Sequence, residues 1–333
     1  MLDKSRILIT GACGSIGSGL VERFLEEGHV VCAFDQHEDG LFQLDQKFRA
    51  DYGYNLKLFI GNVRDEKRLQ RAFENVNIVF HCAALKHVYL SEYNPFESTQ
   101  SNIVGVNNII EAACATGVDK VIFTSSDKAV NPSSTMGATK LLGERLITAA
   151  NHHSGYNKTK FASVRFGNVL NTNGSVLHIF KSQLKNNQPF TITSTDMTRF
   201  FLTAAQSIDL CIHAAENMIG GEIFIKKMGS CSIMQLAEVL SGKRDFEYDV
   251  IGMKPGEKAY EELVTETESV RTVLVNDYYT IIPDILSMLH SDVIQEYEKV
   301  YATLPRLNEA LSSETDLLSI EEIHSVLQTN NFL

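Results

Sequence analysis

The chain has 333 residues, 30 basic against 41 acidic side chains for a formal charge of −11, and a 44% hydrophobic share. That length suffices for about two domains and a core that needs no disulfide or metal staples, and the ordinary composition excludes disordered or collagen-like chains. The acidic balance argues against nucleic acid or an anionic membrane as the main partner, while a local basic site for a phosphate-bearing small molecule remains open.

Met1-Leu2-Asp3-Lys4-Ser5-Arg6 leads straight into Ile7-Leu8-Ile9-Thr10, with no signal-peptide pattern ahead of the first apolar run and no apolar stretch of about 18 residues anywhere. Cys13, Cys32, Cys82, Cys114, Cys211 and Cys231 are scattered, without zinc spacing. These features predict a cytoplasmic protein with reduced, structural thiols and no metal.

In chain order, short apolar runs predict strands over 6–10, 30–35, 56–61, 78–83, 120–125 and 161–166. Amphipathic helices are predicted between them over 17–27, 64–74, 104–116 and 135–152. Right-handed crossovers turn this alternation into an α/β, Rossmann-type doubly wound parallel sheet with its ligand crevice at the strand carboxyl ends. After Asn168 the pattern is mixed: a helix over 176–186, a strand over 190–193, helices over 204–217 and 233–240, and a capped terminal helix near 318–323. Residues 1–168 are therefore read as one domain and 169–333 as a smaller, partly interleaved lobe.

Thr10-Gly11-Ala12-Cys13-Gly14-Ser15-Ile16-Gly17 places glycines at G-x-x-G-x-x-G spacing between the first strand and a helix. Glycine permits the tight turn and the close approach of a pyrophosphate, which the helix N-terminus stabilises; a bare triplet also suits any turn that needs small residues. Context favours the dinucleotide, because Asp35 closes the second strand 18 residues after Gly17, where it would accept from the adenosine ribose diol. Gln36, His37, Glu38 and Asp39 follow and offer no cation for a 2′-phosphate, which points to NAD rather than NADP. Asn62 and Val63, after the third strand, would flank the adenine or simply form a turn.

The arrangement resembles the extended short-chain dehydrogenase/reductase superfamily, which carries a Tyr-x-x-x-Lys helix after its fifth strand. Here that helix reads Met136-Gly137-Ala138-Thr139-Lys140. Lys140 shares a helical face with position 136 and is left to hold the nicotinamide ribose, whereas methionine cannot take a proton. Either the chain is a catalytically silent NAD-binding protein, or other groups do the tyrosine's work. Thr124-Ser125-Ser126-Asp127-Lys128-Ala129-Val130-Asn131-Pro132 favours the second reading, since two ionisable groups at a ligand crevice are costly to desolvate without a purpose. A structural ion pair is the plainer alternative.

Together with Ala83-Ala84-Leu85-Lys86-His87-Val88, Glu92-Tyr93-Asn94-Pro95, Arg165-Phe166-Gly167-Asn168, Met197-Thr198-Arg199-Phe200-Phe201 and Pro255-Gly256-Glu257-Lys258, that segment resembles the nucleotide-sugar 4,6-dehydratases of polysaccharide biosynthesis. More narrowly, it is similar to UDP-N-acetylglucosamine 4,6-dehydratases over nearly the whole chain. The resemblance implies that tyrosine at position 136 marks C5-inverting members and methionine the C5-retaining branch. Many retaining members carry membrane spans and an extra N-terminal domain, so a soluble, stand-alone retaining member is expected here.

The same resemblance implies the roles of individual residues. Lys128 becomes the base at C5 and Asp127 the acid at the C6 oxygen, with Ser126 and Thr124 as relays for the C4 hydroxyl proton or as strand-end hydrogen-bonding groups. Those roles need a neutral lysine and a protonated aspartate, and burial is expected to push both that way as a coupled pair. Ala83, Ala84 and Lys86 would complete the cofactor site, and Lys86 and His87 would line the sugar cavity. Arg199 and Lys254 would meet the diphosphate of a UDP-sugar, although lysine at 254 gives up the bidentate fork of the family's usual arginine. Glu257 would accept from the nucleotide ribose, and Asn168 would contact phosphate or sugar. A homodimer paired through the helices at 104–116 and 135–152 is expected. A C5-inverting dehydratase, a 4-epimerase and a silent NAD-binding regulator are the alternatives.

Overall fold

The computed structural model describes residues 4–153, 159–170, 175–286 and 291–333. Residues 1–3, part of the N-terminal reading above, lie outside this set. Six parallel strands, β1 (Arg6–Thr10), β2 (Val30–Asp35), β3 (Leu56–Ile60), β4 (Ile78–His81), β5 (Lys120–Ser126) and β6 (Lys160–Phe166), stand in the spatial order β3-β2-β1-β4-β5-β6. β1 pairs with β2 on one side (Ile7 opposite Val31) and with β4 on the other (Ile7 opposite Ile78). The order reverses between β1 and β4, which opens a crevice beyond their carboxyl ends.

The strands are apolar almost throughout because both faces are covered. Ile7, Ile9, Val31 and Ile78 face a cluster with Leu20, Phe24, Leu210 and Phe224, while Leu8, Cys32, Val79 and Val121 face one with Val106, Ile109 and Ile147. Helices α1 (Ser15–Glu26), α2 (Glu38–Tyr52), α3 (Glu66–Ala72), α4 (Val88–Tyr93), α5 (Pro95–Thr99), α6 (Gly105–Thr116) and α7 (Thr135–His153) form the covering layers. The sequence reading lacks α2, and the reason is local. Its N-cap is His37, whose side chain accepts from the Gly40 amide, rather than a serine, threonine, aspartate or asparagine. Leu41, Leu44 and Phe48 supply its buried stripe.

Beyond residue 168 the chain re-enters the main sheet. Ile223–Lys226 pairs parallel with β6, and the hairpin Thr272–Val275 with Tyr278–Ile281 adds antiparallel strands, nine in all among the described residues. A second layer is a three-stranded sheet of Asn168–Val169, Thr198–Leu202 and Ser230–Ser232. Its apolar cluster joins Leu177, Phe180, Leu236, Leu240, Ile323 and Leu327, the last two from the terminal helix Ile320–Thr329. That helix starts with a reciprocal Ser319–Glu322 capping box, as the sequence predicts.

A buried charge cluster ties the two segments together. Arg165 of β6, 1% exposed, reaches Glu144 of α7 through Nε (2.8 Å) and Nη2 (2.7 Å), and Glu268 through Nη1 (2.9 Å) and Nη2 (2.7 Å). Nη1 also donates to the Leu263 carbonyl at 2.9 Å.

Candidate active site

A cavity of about 520 Å³ lies at the strand carboxyl ends, and its two ends differ in chemistry. Gly11, Gly14, Ser15, Ile16 and Gly17 form one wall. A Cβ at Gly17 would sit 2.1 Å from the Gly11 carbonyl oxygen, and one at Gly11 (φ +67°) would sit 2.7 Å from the Ala83 amide nitrogen. The loop therefore packs against itself and against the end of β4 so closely that only hydrogen fits. No side chain caps α1 at Gly14, so its first amides are left to face an anion.

Asp35 braces this loop. Its Oδ2 accepts from the Cys13 amide at 2.9 Å and its Oδ1 from the His37 amide at 3.0 Å, and each oxygen keeps a lone pair for a diol. Asn62 donates to the Gln36 side chain at 2.9 Å, and with Val63 they line the same end. Among the described residues, the lysines lining the cavity are Lys86, Lys128 and Lys140, and none belongs to the Asp35-Gln36 or Asn62-Val63 segments. This cradle fits the adenosine and pyrophosphate of a dinucleotide without a 2′-phosphate.

The other end is built from the segments after β4 and β5 and from α7. Ala83, Ala84, Lys86 and His87 line it, and the chain there is clamped by Asn102, a residue the sequence reading does not single out. Asn102 lies in a π-helical turn, Gln100–Val104, accepts from the Leu85 amide (2.8 Å) and donates to the Leu85 carbonyl (3.0 Å) and to Thr139 (3.0 Å). Such turns concentrate at functional sites because they re-aim one side chain. Burial lowers the pKa of Lys86, and it lowers that of His87 with help from the adjacent Lys86 charge.

Met136 is 3% exposed and Lys140 is 6% exposed, both on the α7 face that meets the cavity. The Lys140 ammonium donates to the Thr124 carbonyl at 2.8 Å and lies 4.7 Å from the centre of the Phe123 ring. Burial pulls its pKa down to about 8, with Cys82 and Glu144 opposing the shift. Thr124 spends its own hydroxyl on the His81 carbonyl, 3.1 Å away.

β5 ends at Ser126 and passes into a single 3-10 turn, Asp127–Ala129, in which the Ser126 hydroxyl accepts from the Lys128 amide at 3.0 Å. The same hydroxyl donates to Asp127 Oδ1 at 2.8 Å, and Lys128 Nζ meets that oxygen at 2.9 Å. Asp127 is 1% exposed, and its Oδ2 is buried with no hydrogen-bond partner among the described residues. Lys128 Nζ also donates to Asn168 Oδ1 at 3.3 Å.

One electrostatic expectation is reversed. The sequence predicts a Lys128 whose pKa is lowered by burial, yet in the structure it is raised. Burial does disfavour the charge, but Asp127 and Glu261 outweigh burial and the opposing Arg199. Glu261, 2% exposed, brings Oε1 to 3.7 Å from Lys128 Nζ, and Lys258 Nζ sits 3.2 Å from its Oε2. Neither residue is among the predicted site residues. The one available signal is the lysine–glutamate i,i+3 spacing directly after Pro255-Gly256-Glu257.

Arg199, Lys254 and Glu257 do not line the cavity. Arg199, 6% exposed, gives Nη1 to the carbonyls of Thr198 (2.7 Å) and Ala259 (3.0 Å) and Nη2 to that of Lys258 (2.7 Å). Lys254 and Glu257 lie in an adjoining turn where the Lys254 amide donates to the Glu257 carboxylate at 2.9 Å. Among the described residues no cluster suits a metal ion, and no helix is long and apolar enough to cross a membrane.

A nine-stranded Rossmann sheet among the described residues, a glycine cradle and a lysine on α7 four residues after position 136 give the chain the fold of the extended short-chain dehydrogenases/reductases. Residues 7–283 match the family described as polysaccharide biosynthesis protein. A relative from Campylobacter jejuni described as UDP-N-acetylglucosamine 4,6-dehydratase (inverting) is 38% identical over 288 residues, 86% of this chain and 85% of its own. A Rickettsia rickettsii relative described as UDP-glucose 4-epimerase is 35% identical over 341 residues, covering 100% of this chain and 97% of its own. The X-ray structure of Pen from Bacillus thuringiensis superposes with a TM-score of 0.90 at 38% identity, covering 99% of each chain. The chain belongs to this polysaccharide biosynthesis family, whose relatives here include nucleotide-sugar dehydratases and epimerases.

Proposed function

We propose that the chain is an NAD-dependent UDP-N-acetylglucosamine 4,6-dehydratase that keeps the C5 configuration. The observation that carries this reading is the Asp127–Lys128 pair at the cavity, with one buried carboxylate oxygen left unpartnered. A 4-epimerase needs only proton transfer at the C4 hydroxyl, and it has no use for an acid and a base side by side.

The cofactor would lie along the glycine cradle, with Asp35, Gln36, Asn62 and Val63 around the adenosine, and Ala83, Ala84, Lys86 and Lys140 towards the nicotinamide. Bound NAD would supply the oxidation at C4 that acidifies the C5 proton, and the later reduction at C6. Lys128 then takes the C5 proton while Asp127, whose carboxyl Ser126 holds in place, gives its proton to the departing C6 hydroxyl. Both groups begin neutral, a state reached when the proton of the ammonium crosses the 2.9 Å to the carboxylate.

Ser126 touches the carboxylate and is the relay for the C4 hydroxyl proton; the Thr124 hydroxyl is committed to strand-end bonding and would act only through Lys140. Lys86, His87 and Asn168 would surround the sugar. Lys254 and Glu257 would meet the diphosphate and ribose, with Arg199 bracing the backbone that carries them. Residues 1–168 would thus serve the cofactor and 169–333 the sugar nucleotide.

Methionine at 136 supports C5 retention, and so does a single base, which returns the proton to the face it came from. The name of the Campylobacter relative favours inversion as a second reading. Incubation with UDP-N-acetylglucosamine in heavy water, followed by mass spectrometry and NMR, tests the proposal. Loss of one water with C5 retained is the expected result, and an isomer of unchanged composition inverted at C4 overturns it in favour of the epimerase.

A further inference from the structure

The acid–base pair needs a third carboxylate-bearing partner once its charges are counted. When Lys128 holds the C5 proton and Asp127 still holds its own, the ammonium has lost its near counter-ion inside a largely dehydrated site, a costly state. Glu261 Oε1 lies 3.7 Å from that nitrogen, which also meets Asp127 Oδ1 at 2.9 Å. Its place is fixed from behind: the Glu261 amide donates to Ser313 Oγ at 3.0 Å, and the Ser313 amide returns a bond to the Glu261 carbonyl at 2.9 Å. Ser313 is 0% exposed and also bonds Thr198, so the backbone that carries the carboxylate is tied through a buried hydroxyl to the strand Thr198–Leu202.

Glu261 is itself shared. Lys258 Nζ stands 3.2 Å from Oε2 and is anchored on the carbonyls of Val130 (3.0 Å) and Asn131 (3.3 Å), just past the 3-10 turn that holds the pair. The charged groups around Lys128 are thus Asp127 and Glu261 in favour of its ammonium form and Arg199 against it, with Lys258 drawing on Glu261.

We infer that Glu261 is a positioning residue for Lys128: it holds the ammonium form while Asp127 carries a proton, and Lys258 moderates that hold so that the amine can be freed again. The inference rests on the reading of Lys128 as the C5 base. In the elimination, the C5–H bonding pair becomes the C4–C5 double bond of the enolate and its proton goes to Lys128. The enolate then forms the C5–C6 double bond as the C6–O bond breaks, and Asp127 supplies the proton that makes the leaving group water. Glu261 remains ionised throughout and exchanges no atom.

The test is competitive acylation of Lys128 across pH in the full chain, read by peptide mass spectrometry, which needs no turnover. Glu261→Gln should lower the pH midpoint of Lys128 labelling by about 1–3 units, the effect of losing an opposite charge at this range. Lys258→Met should raise it, because the undivided Glu261 charge then acts on Lys128. Opposite shifts support the inference; unchanged midpoints in both variants, or shifts of the same sign, overturn it. If Glu261→Gln does not fold, an unchanged or lowered midpoint in Lys258→Met overturns it alone. Undiminished dehydration by Lys128→Ala would sink the reading of the base instead, and the labelling result would still stand on its own.

Discussion

Replacing Asp127 with asparagine separates the acid from the base more cleanly than any other single change. The side chain keeps its shape and can still accept from Ser126, now 2.8 Å from Oδ1, but it loses both its charge and its transferable proton. At the observed separation of 2.9 Å an ion pair in protein surroundings is worth up to about 6 kcal/mol. Lys128 is 24% exposed, so about half of that is a fair share, and its loss lowers the lysine pKa. The amine therefore becomes easier to deprotonate as the acid disappears. Loss of general-acid assistance should slow dehydration by about 10²–10⁴-fold. Exchange at C5 should survive, so UDP-N-acetylglucosamine recovered from heavy water should carry deuterium at C5 without having lost water. Proton NMR reads the exchange and mass spectrometry the elimination. Dehydration within about tenfold of the unmodified protein would refute the acid role. So would the absence of C5 deuterium in a variant that still binds the dinucleotide.

Gly17→Ala should destabilise the glycine loop by about 1–3 kcal/mol and weaken NAD binding measured by calorimetry, because a Cβ would meet the Gly11 carbonyl oxygen at 2.1 Å. Arg165→Met should cost about 3–5 kcal/mol in urea unfolding, since it strands Glu144 (2% exposed) and Glu268 (9% exposed) as buried carboxylates. Replacing both glutamates with leucine in that variant should restore part of the loss. Although burial favours its neutral form, Glu268 is held at about 2, against an ordinary 4.5, by hydrogen bonds and charge from Arg165. A depressed folded-state value contributes stability above pH 4.5 and loses it as pH falls towards 2, so Glu268→Gln should flatten that part of the acid-unfolding curve.

Local signals made the first half of the fold legible. β1 and β2 run over the predicted residues because their apolar runs are bounded by charges and by the glycine loop or Asp35. α2 escaped notice because a histidine cap and a polar exposed face hide its three-residue apolar stripe. The strands Ile223–Lys226, Thr272–Val275 and Tyr278–Ile281 were also unread, as each is four residues long and the hairpin of the last two joins the main sheet only through Ile223–Lys226, far away in sequence. The same division holds at the site. Asp127, Lys128 and Ser126 are adjacent in the chain, so their grouping is visible in one line of sequence. Glu261, Lys258 and Asn102 reach the site only through folding, and the reversed direction of the Lys128 shift comes from the charge of Asp127 first and then from the overlooked Glu261.

The charge arrangement also explains why the position opposite Lys140 can be methionine. A tyrosine there would serve the C4 hydroxyl proton, but dehydration already needs a protonated acid nearby. On the proposed mechanism Asp127 takes its proton from Lys128 and hands it to the C6 oxygen, while the C4 proton would pass through Ser126 to solvent, so no phenol has to hold it. In the same mechanism the C5 proton would make a closed circuit of its own, to Lys128 and back to the same face of C5. The two circuits meet only across the 2.9 Å contact between Lys128 and Asp127, where the ligand-free protein keeps the proton on the amine. On that reading cofactor and sugar would displace water, and the positive nicotinamide ring would favour moving that proton onto the carboxylate, which would couple formation of the active state to binding of both.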